Sequence, residues 1–175
     1  MRNVLVVCTA NQCRSPMAEA LIRARADTRT PRSGVTVRSA GTWASADAGA
    51  TGHAVAAMAE RGLDIVGHRS REIDADMVAW ADIILVMTAG HAQAIAREFA
   101  AAGPKLRLIS SLEGGDWDVA DPVGGGLDDY RATANERERL IEAGWPTIAG
   151  DTPEEKGWRP RLRTRVECAP GSWTS

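Results

Sequence analysis

Lysine is nearly missing from this chain. Of 21 basic residues 19 are arginine, and lysine stands only at 105 and 156. With alanine abundant, the skew reads as a composition bias rather than a basic functional patch. Neither sign of charge dominates: the net charge is −2 and the pI about 5.9, which removes any global pull toward nucleic acid. Cysteine is scarce too. Three residues, at 8, 13 and 168, are too few and too scattered for a secreted disulfide scaffold. No apolar run approaches a membrane span, and the VLVV near the N-terminus is too short for a secretory signal. These absences predict a cytoplasmic protein with reduced thiols and neither a membrane nor a nucleic-acid partner. The length of 175 residues suits one well-buried domain.

What is present is an alternation of strands and helices. NVLVV (3–7) is a continuous β-branched run and reads as a buried strand. Ser15 then offers an N-cap, Pro16 suits a first helical position, and a helix runs to about Ala26 with Met17, Leu21 and Ala24 on one face. VTVRSA (35–40) alternates as a strand, and HAVAAMAERG (53–62) reads as a helix closed by Gly62. ADIILVM (81–87) is a second buried strand, followed by a helix over 89–101, a strand over 105–110 and a charged amphipathic helix over 127–143. The pattern predicts an α/β fold: a single domain with a central four-stranded parallel sheet flanked by helices. Composition changes after Gly144. Residues 145–175 hold three of the six Trp and four of the eight Pro, and read as an atypical, poorly ordered C-terminal tail beyond a domain at 1–144.

The chemistry gathers in VVCTANQCRSPMAEAL (6–21), where a cysteine ends a buried strand just before a helix. Parallel sheets bind ligands at the carboxyl ends of their strands. The loop Thr9, Ala10, Asn11, Gln12, Cys13, Arg14, Ser15 can curl its amides into an anion nest, with a helix N-terminus behind it. Arg14 adds a two-pronged donor for a tetrahedral anion. A helix N-terminus and an adjacent arginine also favour thiolate. Cys8 is therefore expected to act as a nucleophile on a bound phosphate, with the Ser15 hydroxyl within reach of the sulfur. Asn11 tolerates the left-handed backbone that a tight nest requires. Transfer of phosphate to Cys8 calls for a general acid. The loop GGDWDVADPVGGG (114–126) offers Asp116, Asp118 and Asp121; Asp121 is the attractive one, because Pro122 fixes the chain after it and Gly124–Gly126 let the loop fold over, although an Asp-Pro pair equally starts a plain turn.

VCTANQCRSPMAEAL, RSAG (38–41), GLDIVGHRSREI (62–73), ADIILVMT (81–88) and DVADPVGG (118–125) occur in an order that resembles the low-molecular-weight protein-tyrosine-phosphatases, over roughly residues 2–143. The resemblance implies a phosphoprotein phosphatase working through a cysteinyl phosphate, with phosphorylated protein as substrate and inorganic phosphate as product, and no metal or cofactor. It implies Cys8 as nucleophile, Arg14 as phosphate clamp and Asp121 as general acid. Asn11, Ser15, Ser39 and His68 would hold the loop, and Cys13 matches a second loop cysteine able to form a protective disulfide with the nucleophile.

Departures from the pattern concern the substrate. Val123-Gly124-Gly125 follow Asp121-Pro122 where tyrosine-specific members usually carry aromatics, and Gln12 replaces an aliphatic residue. The VGG pattern is similar to the bacterial protein-arginine-phosphatase branch, which has a small polar threonine at the Gln12 position. Trp43 and Trp117 are candidates for an aromatic wall, so the expected substrate rim is Gln12, Trp43, Trp117 and Val123. Thiol arsenate reductases share the fold but need a further cysteine pair after the central strand, which ADIILVMTAGHAQAI lacks. A non-catalytic phosphate-binding or thiol redox module is a further alternative, and the presence of Asp121 argues against it.

Overall fold

A computed structural model describes residues 1–28 and 34–151. Strand β1 (Arg2–Cys8) is the inner strand that carries Cys8. Its Val4, Leu5, Val6 and Val7 are fully buried, as expected of a strand covered on both faces. β2 (Val35–Gly41) pairs with it in parallel from Arg2↔Val35 to Cys8↔Gly41. β3 (Ile83–Val86) pairs with its other edge, and β4 (Leu106–Leu108) pairs with β3, both in parallel. The order is β2-β1-β3-β4, a four-stranded parallel sheet.

Alternate residues of each strand feed opposite cores. Val4, Val6, Ile83 and Leu85 face a cluster built with α1 (Arg14–Asp27), α2 (Gly52–Ala59), α5 (Leu127–Ala143) and α6 (Trp145–Ala149). Leu5, Val7, Ile84 and Val86 face the cluster of α3 (Ala75–Trp80) and α4 (Ala89–Glu98). Among the described residues, no helix is long and apolar enough to cross a membrane.

Several element ends differ from the sequence reading, each for a local reason. α1 starts one residue before Ser15, and Ser15 does not cap it; Cys13 is the N-cap residue, and the Ser15 hydroxyl is turned into the protein. α2 stops at Ala59, and the chain turns through Gly62 at φ +71°, where Leu63 N–H reaches the Met58 carbonyl. α4 ends at Glu98, and a 3-10 turn over Ala100–Lys105 carries the chain through Gly103-Pro104, which an α-helix cannot accommodate. A second 3-10 turn, Ile109–Glu113, shortens β4 to three residues. α3 was not expected from the sequence, although Asp74 caps it, accepting from Met77 N–H at 2.7 Å.

The expected boundary at Gly144 falls inside the packed body. Trp145 and Ile148 are buried in the core beside β1 and α5, with the Arg25 guanidinium 5.6 Å over the indole of Trp145. Apolar burial thus continues past the composition change, because Trp145 is bulky enough to close the end of the core that α1 and α5 leave open. The rest of the expected tail, residues 152–175 with Cys168, lies outside the described residues. Replacing Trp145 with Ala is expected to destabilise the fold by about 3–5 kcal/mol, measured as a lower denaturant midpoint. A loss under about 0.5 kcal/mol would place the end of the core at Gly144.

Candidate active site

The loop between β1 and α1 is shaped from outside. The carbonyls of Cys8 and Thr9 accept from Thr42 and Trp43 N–H at 2.9 and 3.0 Å, and that of Gln12 accepts from Thr51 N–H at 3.0 Å. His68 Nε2 lies 2.6 Å from the Asn11 carbonyl. Across each trans peptide the N–H points opposite to the carbonyl. These bonds therefore leave the N–H groups of Thr9, Ala10, Gln12 and Cys13 on the other side, as an anion nest requires. The approach of β2 is so close that a Cβ on Gly41 would fall 2.3 Å from the Thr9 carbonyl oxygen. This is the physical reason for the glycine of RSAG.

Asn11 is fully buried with φ +55°. Its Nδ2 donates to Ser15 Oγ and Ser39 Oγ, each at 2.9 Å, and its Oδ1 accepts from Arg71 N–H at 3.0 Å. Ser39 in turn donates to the Glu19 carboxylate at 2.5 Å. The Ser15 hydroxyl accepts from Asn11 and has its proton for Cys8 Sγ at 3.0 Å or the Ala40 carbonyl at 3.3 Å. Glu19, Ser39, Asn11, Ser15 and Cys8 form one continuous relay of donors and acceptors. Four of its members and His68 were expected from the sequence; Glu19 is added by the structure.

Arg14 is buried and reaches across the mouth. It donates to Thr9 Oγ1 and the Val119 carbonyl, both at 3.3 Å, and forms an ion pair with Asp121. Asp121 Oδ1 also accepts from Val123 N–H at 3.1 Å. Asp118 is committed elsewhere, accepting from Ala89 N–H at the start of α4 at 2.7 Å. Of these two carboxylates, Asp121 is the one that meets Arg14.

The rim residues separate. Trp43 and Val123 are strongly exposed, at 81% and 64%, and Trp43 is tied by its own N–H to the loop. Gln12 is half-buried. Trp117 turns toward α5 instead: its indole lies against Gly115 and donates to Glu136 at 3.3 Å. Cys8 and Cys13 are both free and buried. The Cys13 sulfur is 3.4 Å from Thr51 Oγ1 and 3.5 Å from the hydroxyl of Tyr130. Among the described residues, no three His, Cys, Asp or Glu side chains gather as a metal site.

His91 was missed by the sequence reading. It stands in the first turn of α4, where Thr88 accepts its N–H, and its Nε2 lies 2.9 Å from Thr9 Oγ1. Burial, then the nearby Arg14 cation, pull its pKa down to about 4. The T-x-x-H spacing across a helix N-terminus was the available signal. Because the imidazole stays neutral when folded but takes a proton near pH 6.5 when unfolded, its contribution to stability is present above pH 6.5 and lost as pH falls toward 4. His91→Gln should flatten the fall of Tm across that window. A melting series with the same slope in both proteins would assign the acid sensitivity elsewhere.

Residues 3–150 match the family model described as low molecular weight phosphotyrosine protein phosphatase. A protein-arginine-phosphatase of Geobacillus stearothermophilus is 40% identical over 140 residues, covering 79% of this chain and 90% of its own length. A probable low molecular weight protein-tyrosine-phosphatase, EpsP, of Ralstonia nicotianae is 37% identical over 148 residues, covering 85% and 97%. Among solved structures, the YwlE arginine phosphatase from Geobacillus stearothermophilus superposes with a TM-score of 0.79 at 36% identity, over 86% of this chain and 95% of that one. With the nest, thiol, arginine and carboxylate in place, these matches show that the chain belongs to the low molecular weight phosphotyrosine protein phosphatase family of cysteine-dependent hydrolases.

Proposed function

We propose that this chain dephosphorylates proteins in two steps through Cys8. The observation that carries the reading is the meeting, at one mouth, of the Cys8 thiol, the amide nest and the Arg14–Asp121 pair. The phosphate settles in the nest, and the Arg14 guanidinium grips two of its oxygens. That grip takes Arg14 from Asp121, and the freed carboxylate takes up a proton from solvent and faces the leaving group. The Cys8 sulfur attacks phosphorus in line. An S–P bond forms, the bond to the leaving atom breaks, and Asp121 supplies the proton to that atom. Water, deprotonated by Asp121, then attacks phosphorus, inorganic phosphate departs, and Ser15 stabilises the released sulfur by hydrogen bonding.

The Trp43 indole, exposed and anchored beside Thr9, supports phosphotyrosine as the substrate because it offers a face for a phenyl ring. Phosphoarginine is the second reading. Val123 places no aromatic on the acid loop, Gln12 adds a polar side chain to the nest, and relatives named protein-arginine-phosphatase support it. In that case the bond broken is P–N, and the proton goes to nitrogen.

Rates on matched phosphotyrosine and phosphoarginine peptides, with Cys8→Ser as the blank, test both readings. Cys8→Ser is expected to abolish turnover, and Asp121→Asn to slow it roughly 10²–10⁴-fold. Faster phosphotyrosine turnover is the expected order, falling in Trp43→Ala. Faster phosphoarginine turnover would establish the second reading, and full activity without the Cys8 thiol would overturn the mechanism.

A further inference from the structure

Arg137, in the middle of α5, has no place in the chemistry described above, and its surroundings are unusual for a charged group. The side chain is fully buried. One terminal nitrogen donates to the Thr133 carbonyl at 2.7 Å, and the other meets only the thioether of Met87, at 3.9 Å. The Nε–H has no partner, and no described carboxylate pairs with the guanidinium. Arginine does not escape this cost by losing its proton near neutral pH. An isolated buried charge is expensive unless an opposite charge answers it.

The anion that answers it is indicated by position. Met87 closes β3, its carbonyl accepts from Val119 N–H at 2.8 Å, and the Val119 carbonyl accepts from Arg14. Arg137 therefore lies behind the strand end and acid loop whose front faces the nest. The ionisable groups whose charges act on it are Glu136, Arg14, Cys8 and Asp121. Glu136 projects toward the exposed indole of Trp117, so the other three, all at the mouth, mark the direction in which the field of Arg137 falls.

We propose that Arg137 is a second, buried cation of the phosphate site, a positioning residue whose fixed charge behind Arg14 holds the bound phosphate dianion without touching it. The proposal rests on the phosphatase reading and adds to it a charge that the loop motif does not contain. In a poorly screened interior a unit charge acts at a distance, and an effect of about tenfold or more on dianion affinity is the expected scale.

Inorganic phosphate binding, measured by calorimetry across pH 6–9 on the full chain, tests this alongside melting temperature. Arg137→Met, which removes the charge but keeps the bulk, is expected to bind phosphate about tenfold or more weakly with no loss of Tm. Arg137→Lys is expected to restore binding at the acid end and lose it relative to the parent as pH rises, because a buried lysine, unlike arginine, gives up its proton. Packing alone would not produce that titration. Arg137→Gln, which keeps a donor for Thr133, takes the place of Arg137→Met if the latter fails to fold. Parent-like phosphate affinity in the neutral variant overturns the proposal. So does an Arg137→Lys protein as weak as the neutral variant at every pH. A parent that binds no phosphate overturns the phosphate-site reading and this role with it.

Discussion

The site depends on the left-handed turn at Asn11. That residue reverses the loop direction, and its amide joins α1, β2 and the segment before α3 through Ser15, Ser39 and Arg71. A positive φ costs a non-glycine residue roughly 1–3 kcal/mol, and three side-chain hydrogen bonds offset it. With alanine here the turn would lose both its tolerance for that φ and the fixed position of Ser15 against the thiol. Glycine would satisfy the backbone alone. Asparagine satisfies the backbone and also sets the orientation of the proton next to Cys8.

A second constraint is electrostatic. The α1 N-terminus and Arg14 bring positive potential to the mouth, while His91 is held neutral beside them. In the unliganded arrangement Asp121 balances Arg14. The protein thus keeps a carboxylate of its own against the buried guanidinium at the mouth. Trp43, Gln12 and Val123 lie farther out: Trp43 and Val123 are exposed, and Gln12 is half-buried.

Much of this was legible because it is local. Strand, Cys8, loop, Arg14 and α1 lie within 27 residues, and a continuous apolar run before a cysteine states both the strand and its end. Ser39 and His68 came from resemblance, since nothing in RSAG or GHRS alone says that those side chains meet Asn11. Asp121 also came from resemblance; its pairing with Arg14, while Asp118 binds the start of α4, is a matter of tertiary geometry. Glu19 and His91, which bond to the loop and its network, and the buried Arg137 were not legible in the sequence. Each is a polar side chain at a helical position whose burial is set by another element. The boundary after Gly144 failed for a related reason: composition changes there, but the core is closed by one bulky residue, Trp145.

The parallel register of Cys8 with Gly41 also gives the active site a parity. Odd and even residues of β1 enter different cores, and Cys8 shares its side with Val4 and Val6. Sliding β1 by one residue against β2 would preserve almost every hydrophobic contact, since valine and leucine suit either face. It would, however, place Val7 at the floor of the nest and send the thiol out of it. The bulk of the sheet is nearly indifferent to that frame shift, and the chemistry is not. Gly41, pressed against the Thr9 carbonyl, is therefore a frame marker, fixing which residue of an otherwise interchangeable strand stands at the floor of the nest.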